Sequence, residues 1–300
     1  MNLLEKIKKL KKQKNIAVVA HNYQIPEIQD IADFVGDSLE LAKIIRNFKN
    51  KVVIFCGVRF MAETAKILAP EKKILIPSLD AGCPLADSIS VAQLTHFKKN
   101  NPKAQVVCYV NTNADIKAES NICCTSANAI EVVKRLKIRR IIFLPDRNLA
   151  YFVAKNTDKD IIPWNGYCPV HEKIKKKDII ELKRRYPDAE VIAHPECLPP
   201  VQKLATKILS TGGMVEYVKN SESKIFIIAT EEGIIHRLKK ENPTKKFIPA
   251  RNDLICEDMK KITLENLYKS LKEEKYEIKL PLNILKKALN AIERMVENKT

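Results

Sequence analysis

Apolar and polar positions fall in blocks along this chain, and the blocks recur three times. The apolar run Val18-Val19-Ala20 ends in His21-Asn22-Tyr23, Val106-Val107-Cys108 ends in Tyr109-Val110-Asn111, and Val191-Ile192-Ala193 ends in His194-Pro195-Glu196. A hydroxyl residue stands 17 positions after each lead residue: Ser38 after His21, Ser126 after Tyr109, Thr211 after His194. Second apolar runs follow at Val52-Val53-Ile54-Phe55-Cys56, Ile141-Ile142-Phe143-Leu144 and Ile225-Phe226-Ile227-Ile228-Ala229. Third runs follow at Ile74-Leu75-Ile76, Ile161-Ile162-Pro163 and Phe247-Ile248-Pro249. The lead residues are 88 and then 85 positions apart, which is too long for a solenoid repeat and suits three small α/β domains.

Each apolar run reads as a buried strand, and the stretches between carry helical periodicity. Residues 25–47 look helical but are interrupted at Gly36-Asp37-Ser38, where Ser38 is expected to cap a helix over 39–46. Ser126 is expected to cap a helix over 127–135, and a helix over 201–209 to stop before Thr211. Residues 1–14 read as an amphipathic helix, and in the tail Leu285, Ala288, Leu289, Ile292 and Val296 share one helical face. Strands alternating with helices imply parallel sheets with right-handed crossovers. The expected fold is therefore three similar α/β/α sandwich domains in pseudo-threefold arrangement around a central cavity. Their expected bounds are 1–86, joined by a C-terminal helix within 264–300, then 87–171 and 172–263. Ligands bind beyond the carboxyl ends of such strands, which places His21, Tyr109 and His194 around one cavity.

Charge changes this picture little. Lys and Arg number 53 against 36 Asp and Glu, a formal net charge of +17. The lysines are spread over helix-like stretches without aromatic interleaving, so they read as solvated faces whose field favours anionic small molecules over nucleic acid. The apolar runs are too short to span a membrane, and residues 1–14 lack the apolar core of a signal peptide. The expectation is a cytoplasmic protein with no membrane or nucleic-acid partner. The rival reading, a basic nucleic-acid-binding protein with a structural zinc, predicts a steep salt dependence of binding.

Eight cysteines in a chain without an export signal point to reduced thiols or metal ligation. Three keep the phase of the repeat: Cys83, Cys168 and Cys256 lie 62, 59 and 62 positions after their lead residues. Three thiolates, one per domain, can hold three irons of a cubane iron–sulfur cluster and leave the fourth iron open. Zinc held by the same three with His171 as fourth ligand is the alternative. Cys56 and Cys108 read as core, Cys123 and Cys124 as a vicinal pair near a helix cap, and Cys197 as a near-site candidate beside Glu196. Ser38, Ser126 and Thr211 at helix starts suit anionic groups. The strand-end clusters suit proton transfer, with Glu196 the candidate base because burial would raise its pKa.

At these residues the chain resembles the quinolinate synthase family. The resemblance runs end to end, through Ala20-His21-Asn22-Tyr23-Gln24, Gly57-Val58-Arg59-Phe60-Met61-Ala62-Glu63-Thr64-Ala65, Gly82-Cys83-Pro84-Leu85-Ala86-Asp87-Ser88 and Tyr109-Val110-Asn111-Thr112. It continues through Lys117-Ala118-Glu119, Thr125-Ser126-Ala127-Asn128-Ala129, Pro145-Asp146-Arg147-Asn148-Leu149, His194-Pro195-Glu196-Cys197, Ser210-Thr211-Gly212-Gly213-Met214 and Cys256. It implies an enzyme of NAD biosynthesis that condenses iminosuccinate with dihydroxyacetone phosphate to quinolinate, phosphate and water. It also implies one [4Fe–4S] cluster on Cys83, Cys168 and Cys256, acting as Lewis acid in dehydration. Substrate contacts are implied for His21, Ser38, Tyr109, Val110, Asn111, Ser126, His194, Pro195, Glu196 and Thr211. Tyr23, His21, Tyr109, His194 and Glu196 are the residues expected to act catalytically. The partner would be an aspartate oxidase or dehydrogenase that supplies iminosuccinate. Some members carry a C-terminal C-x-x-C pair; this sequence has none, so regulation by such a disulfide is not expected. A diphthamide-type enzyme, which also uses three cysteines, is the enzymatic rival.

Overall fold

The computed structural model describes residues 2–296, so residues 297–300 of the expected C-terminal segment lie outside the described residues, as does the Val296 side chain. Twelve strands form three four-stranded, all-parallel sheets. The first holds β1 (Ile16–His21), β2 (Phe34–Gly36), β3 (Val52–Cys56) and β4 (Lys73–Leu75) in the order β2-β1-β3-β4. The second holds β5 (Gln105–Tyr109), β6 (Ile122–Cys124), β7 (Arg140–Leu144) and β8 (Asp160–Pro163) in the order β6-β5-β7-β8. The third holds β9 (Glu190–Ala193), β10 (Lys207–Ile208), β11 (Ile225–Ala229) and β12 (Lys246–Pro249) in the order β10-β9-β11-β12. The three orders are the same, and each reverses direction beside the strand that carries the lead residue.

The edge strands β2, β6 and β10 are an addition to the pattern read from sequence. Residues 34–36 had read as helix, Cys123-Cys124 as a helix-cap region, and 201–209 as one helix. In fact the helix Pro199–Gln202 is a single turn and β10 follows it. One polar side chain per repeat, 12 positions after the lead, closes each edge. Asp33 accepts from the Val18 amide at 2.8 Å, Asn121 from Val106 at 2.8 Å and Thr206 from Val191 at 3.0 Å.

The caps also fall one or two residues from the expected places. Asp37, not Ser38, caps the helix Ser38–Ile44, accepting from the Leu39 and Glu40 amides at 2.9 Å while Glu40 returns to the Asp37 amide. Ser210, not Thr211, caps Thr211–Asn220, and Asn128 precedes Ala129–Arg135. In the first and third units an oxygen one residue ahead satisfies the free helix amides, which releases the Ser38 and Thr211 hydroxyls from that task. Ser126 lies two residues before Asn128, the N-cap of its helix, which makes no side-chain capping bond.

The core is not shared evenly. One continuous apolar cluster runs through the first and second sheets and takes in the C-terminal helices. The helix Leu282–Val296 lays Ala288 and Ile292, both fully buried, against β6 and the helices Arg59–Leu68 and Ala114–Ala118. It thus bridges the first two units rather than completing one. The third sheet has separate cores on its two faces, because alternate residues point opposite ways. Val191, Ala193, Ile227 and Ala229 face one side, and Ile192, Phe226 and Ile228 the other. Among the described residues no helix is long and apolar enough to cross a membrane.

Candidate active site

The residues at the carboxyl ends of β1, β5 and β9 meet at one central cavity, and in open parallel sheets ligands bind beyond those ends. It encloses about 590 Å³ of space free of protein atoms, solvent-open space included. His21, Tyr23, Ser38, Tyr109, Asn111, Ser126, His194, Glu196 and Thr211 all line it, together with Cys83, Cys168 and Cys256. Of the residues singled out in the sequence, Val110 and Pro195 are not in this lining. Val110 borders a small neighbouring pocket, and the Pro195 carbonyl accepts from Gln202 at 2.8 Å. Close approach of the units is allowed by Gly212, where an added Cβ would lie 2.7 Å from Asp37 Oδ2.

A polar chain crosses the cavity and joins all three units. The Tyr109 hydroxyl donates to Glu196 Oε1 at 2.6 Å, and Asn111 Nδ2 donates to the same oxygen at 3.2 Å. His171 Nδ1 lies 2.9 Å from Glu196 Oε2, off the line of a straight hydrogen bond. His171 Nε2 meets Thr230 Oγ1 at 2.8 Å, and Thr230 Oγ1 meets the Tyr23 hydroxyl at 2.5 Å. The His194 ring stacks on His171 with centroids 4.7 Å apart, and His194 Nε2 lies 3.3 Å from Ser126 Oγ. Asn22 Nδ2 donates to Thr211 Oγ1 at 2.9 Å, and Asn22 Oδ1 accepts from Arg237 Nη1 at 2.9 Å.

The expected raised pKa of Glu196 is corrected by these neighbours. Burial opposes ionisation, but the imidazoles of His194 and His171 and the Tyr109 O–H outweigh it and bring the carboxyl down to about 2. Glu196 is thus a standing anion rather than a strong base. Burial pushes the Tyr23 and Tyr109 phenols up, and Glu196 adds to that effect, so both stay protonated. Burial lowers His21 to about 4 and His194 to about 3, so both rings are neutral near pH 7.

This burial predicts acid lability. An unfolded chain protonates these histidines below about 6.5, whereas the native protein resists until about 4 for His21 and 3 for His194. Their contribution is fully present above pH 6.5 and is lost as pH falls toward those lower values. His194→Gln in metal-free protein is expected to remove on the order of 4 kcal/mol of this pH dependence. Urea midpoints from pH 7 to 3 measure it, and an unchanged slope would contradict the burial of a neutral ring.

The three in-phase thiols fit an inorganic cluster. Each sulfur accepts from the backbone amide three residues on: Ala86 for Cys83, His171 for Cys168, Met259 for Cys256. Amides aimed at sulfur stabilise metal thiolates. Burial raises all three thiol pKa values, to about 11 for Cys256 and higher for the others. A metal bound there would have to displace the protons. Two buried carboxylates brace the loops from behind. Glu231 Oε1 accepts the Cys256 amide at 3.2 Å and pairs with Lys260 at 2.8 Å, and Asp146 accepts the Cys168 amide. The donor atoms of Cys168, His171 and Glu196 lie within 4.8 Å of one another, but His171 already uses Nε2 on Thr230 and sets Nδ1 against Glu196. A zinc ligand role would break that chain. Of the remaining cysteines, Cys56 and Cys108 are core as expected. Cys123 and Cys124 are buried in β6, and Cys197 turns its thiol to the Ala229 carbonyl at 3.2 Å, away from the cavity.

Sequence reading missed Thr230, and it weighed His171 only as a zinc ligand. Neither has a counterpart of the same type in the other repeats: positions equivalent to Thr230 hold Gly57 and Pro145, and those equivalent to His171 hold Ala86 and Met259.

Comparison with known proteins agrees along the whole chain. The profile of the family described as quinolinate synthetase A protein matches residues 5–297. The quinolinate synthase of Alkaliphilus metalliredigens is 49% identical over 299 residues, covering 99% of both chains. That of Thermodesulfovibrio yellowstonii is 52% identical over 294 residues, 98% of this chain and 97% of its own. That of Methanosarcina barkeri is 48% identical over 294 residues, with 98% and 97% covered. A match of this extent, on a chain whose in-phase cysteines and strand-end clusters share one cavity, places it in an enzyme family: it belongs to the quinolinate synthases.

Proposed function

We propose that this cavity condenses iminosuccinate with dihydroxyacetone phosphate to give quinolinate, phosphate and water, a step of NAD biosynthesis. The observation that carries the reading is the convergence, in one cavity, of three hydroxyls, a buried acid–base chain and three thiols with matched amide donors. Cys83, Cys168 and Cys256 would hold one [4Fe–4S] cluster. When bound, it supplies an open, Lewis-acidic iron for a substrate hydroxyl or carboxylate oxygen.

The remaining roles belong to the chain itself. Ser38, Ser126 and Thr211 donate to the anionic oxygens of the dicarboxylate and the phosphate. Because Thr211 Oγ1 already accepts from Asn22, its own proton is directed to the ligand. Neutral His21 and His194 offer ring nitrogens that relay protons where carbon–carbon and carbon–nitrogen bonds form, and protonated Tyr23 and Tyr109 donate hydrogen bonds to departing oxygens. Glu196 holds His171 and Tyr109 in register and stabilises positive charge that develops beside it. Backbone groups of Val110 and Pro195 shape the loops that carry Asn111 and Glu196. An aspartate oxidase or dehydrogenase would supply the unstable imine.

The test is turnover by protein purified without oxygen. Quinolinate and phosphate are expected in equal amounts when both substrates are supplied, and neither when one is withheld. Iron-loaded protein that forms no quinolinate would overturn the proposal.

A further inference from the structure

The repeat carries a device beyond the cavity lining. Eight positions after each lead residue stand Gln29, Lys117 and Gln202, all buried. Gln29 Nε2 donates to the carbonyls of its own strand-end loop, Asn22 at 3.2 Å and Gln24 at 2.8 Å, and to Gly233 of the third unit at 2.8 Å. Gln202 Nε2 does the same with Pro195 and Cys197 at 2.8 Å each, and reaches Asn148 of the second unit at 3.2 Å. Gly233 and Asn148 both stand 39 positions after their own lead residues. In the second repeat the side chain is a lysine. Lys117 Nζ donates to the Thr112 carbonyl, the loop position equivalent to Gln24 and Cys197. It also lies 5.4 Å over the ring of Phe60, the residue 39 positions after His21. The reach is thus cyclic: first unit to third, third to second, second to first.

We propose that Lys117 is a positioning residue, the member of this ring that fixes the Tyr109–Asn111 loop against the first unit, as Gln29 and Gln202 fix the other two loops. The exchange of Gln for Lys follows the partner: where Gly233 and Asn148 offer a carbonyl, Phe60 offers a ring face, which a cation recognises. Lys117 does not itself line the cavity; it acts through Tyr109 and Asn111, whose bonds to Glu196 cross from the second unit to the third. Misplacing such groups by about 1 Å costs on the order of 100-fold in rate. The inference rests on the cavity being the active site.

Lys117→Gln and Lys117→Met separate the possibilities. The Gln variant, which restores the residue of the other two repeats, is expected to keep kcat within about threefold of the parent. The Met variant should lose about 100-fold in kcat, with KM and with iron and sulfide per chain unchanged. A Met variant at the parent rate overturns the proposal. So does a Gln variant as impaired as Met while Lys117→Arg is active, because the charge rather than the staple would then matter. Should Lys117→Met fail to fold, the Gln and Arg pair decides alone. A parent that makes no quinolinate sinks the functional reading only. Hydrogen exchange at the amides of residues 110–112 then judges the staple. Those amides should be as protected in Lys117→Gln as in the parent and at least about tenfold faster in Lys117→Met; equal exchange in all three would overturn it.

Discussion

Serine in place of Cys83, Cys168 or Cys256 is expected to strip the protein of its iron and reduce quinolinate formation to background. Each repeat supplies one thiol, so each substitution removes one of three anchors, and serine oxygen is a poor substitute for thiolate sulfur toward iron. No other cysteine among the described residues lines the cavity. Of the two adjacent in sequence to the acid–base chain, Cys197 is committed to the Ala229 carbonyl and Cys108 to Thr112 and the Tyr109 carbonyl. Cys56→Ser and Cys124→Ser serve as controls. Both sit in strands of the core, so they should lower stability by about 1–3 kcal/mol through a buried hydroxyl yet keep iron at the parent level. Iron retained in a Cys168→Ser protein would contradict the shared site.

Glu196→Gln carries the second large effect. The carboxylate accepts from Tyr109 and Asn111 on one oxygen and faces His171 with the other. An amide of the same shape must turn its NH2 toward one of these donors and cannot hold the charge. Loss of one positioned proton-transfer array costs about 10²–10⁴-fold in rate, and we expect a fall in kcat of that size with iron content unchanged. Because Glu196 is already ionised well below working pH, any acid limb of the pH–rate profile above pH 4 should persist in the variant. Disappearance of that limb would show that the carboxylate itself takes up the proton, and turnover at the parent rate would show that Glu196 has no part in the chemistry.

The three cysteines and the strand-end clusters were legible because chemistry in this chain sits at fixed offsets from buried apolar runs, and an offset survives without coordinates. The hydroxyls were found by the same phase, although the capping role expected of them falls to other residues. Asp37 and Ser210 stand one residue closer to the free helix amides, and residue type alone does not separate a cap from the position after it. The edge strands β2, β6 and β10 span two or three residues, too few for a period to show. The sign of the Glu196 shift depends first on His194, two residues away, whose imidazole the sequence reading did not set against burial, and then on His171 and Tyr109, which are distant in the chain and adjacent only in space. Lys117 escaped notice for a different reason: its repeat partners are glutamines, and the equivalence lies in what the side chains reach rather than in what they are.

Diffraction from crystals grown without oxygen, recorded at the iron absorption edge, is the most direct check. One anomalous iron peak in the central cavity, bonded to the sulfurs of Cys83, Cys168 and Cys256 and to no fourth side chain, is the predicted outcome. Iron bound elsewhere, or a zinc peak held by these sulfurs and His171, would contradict it.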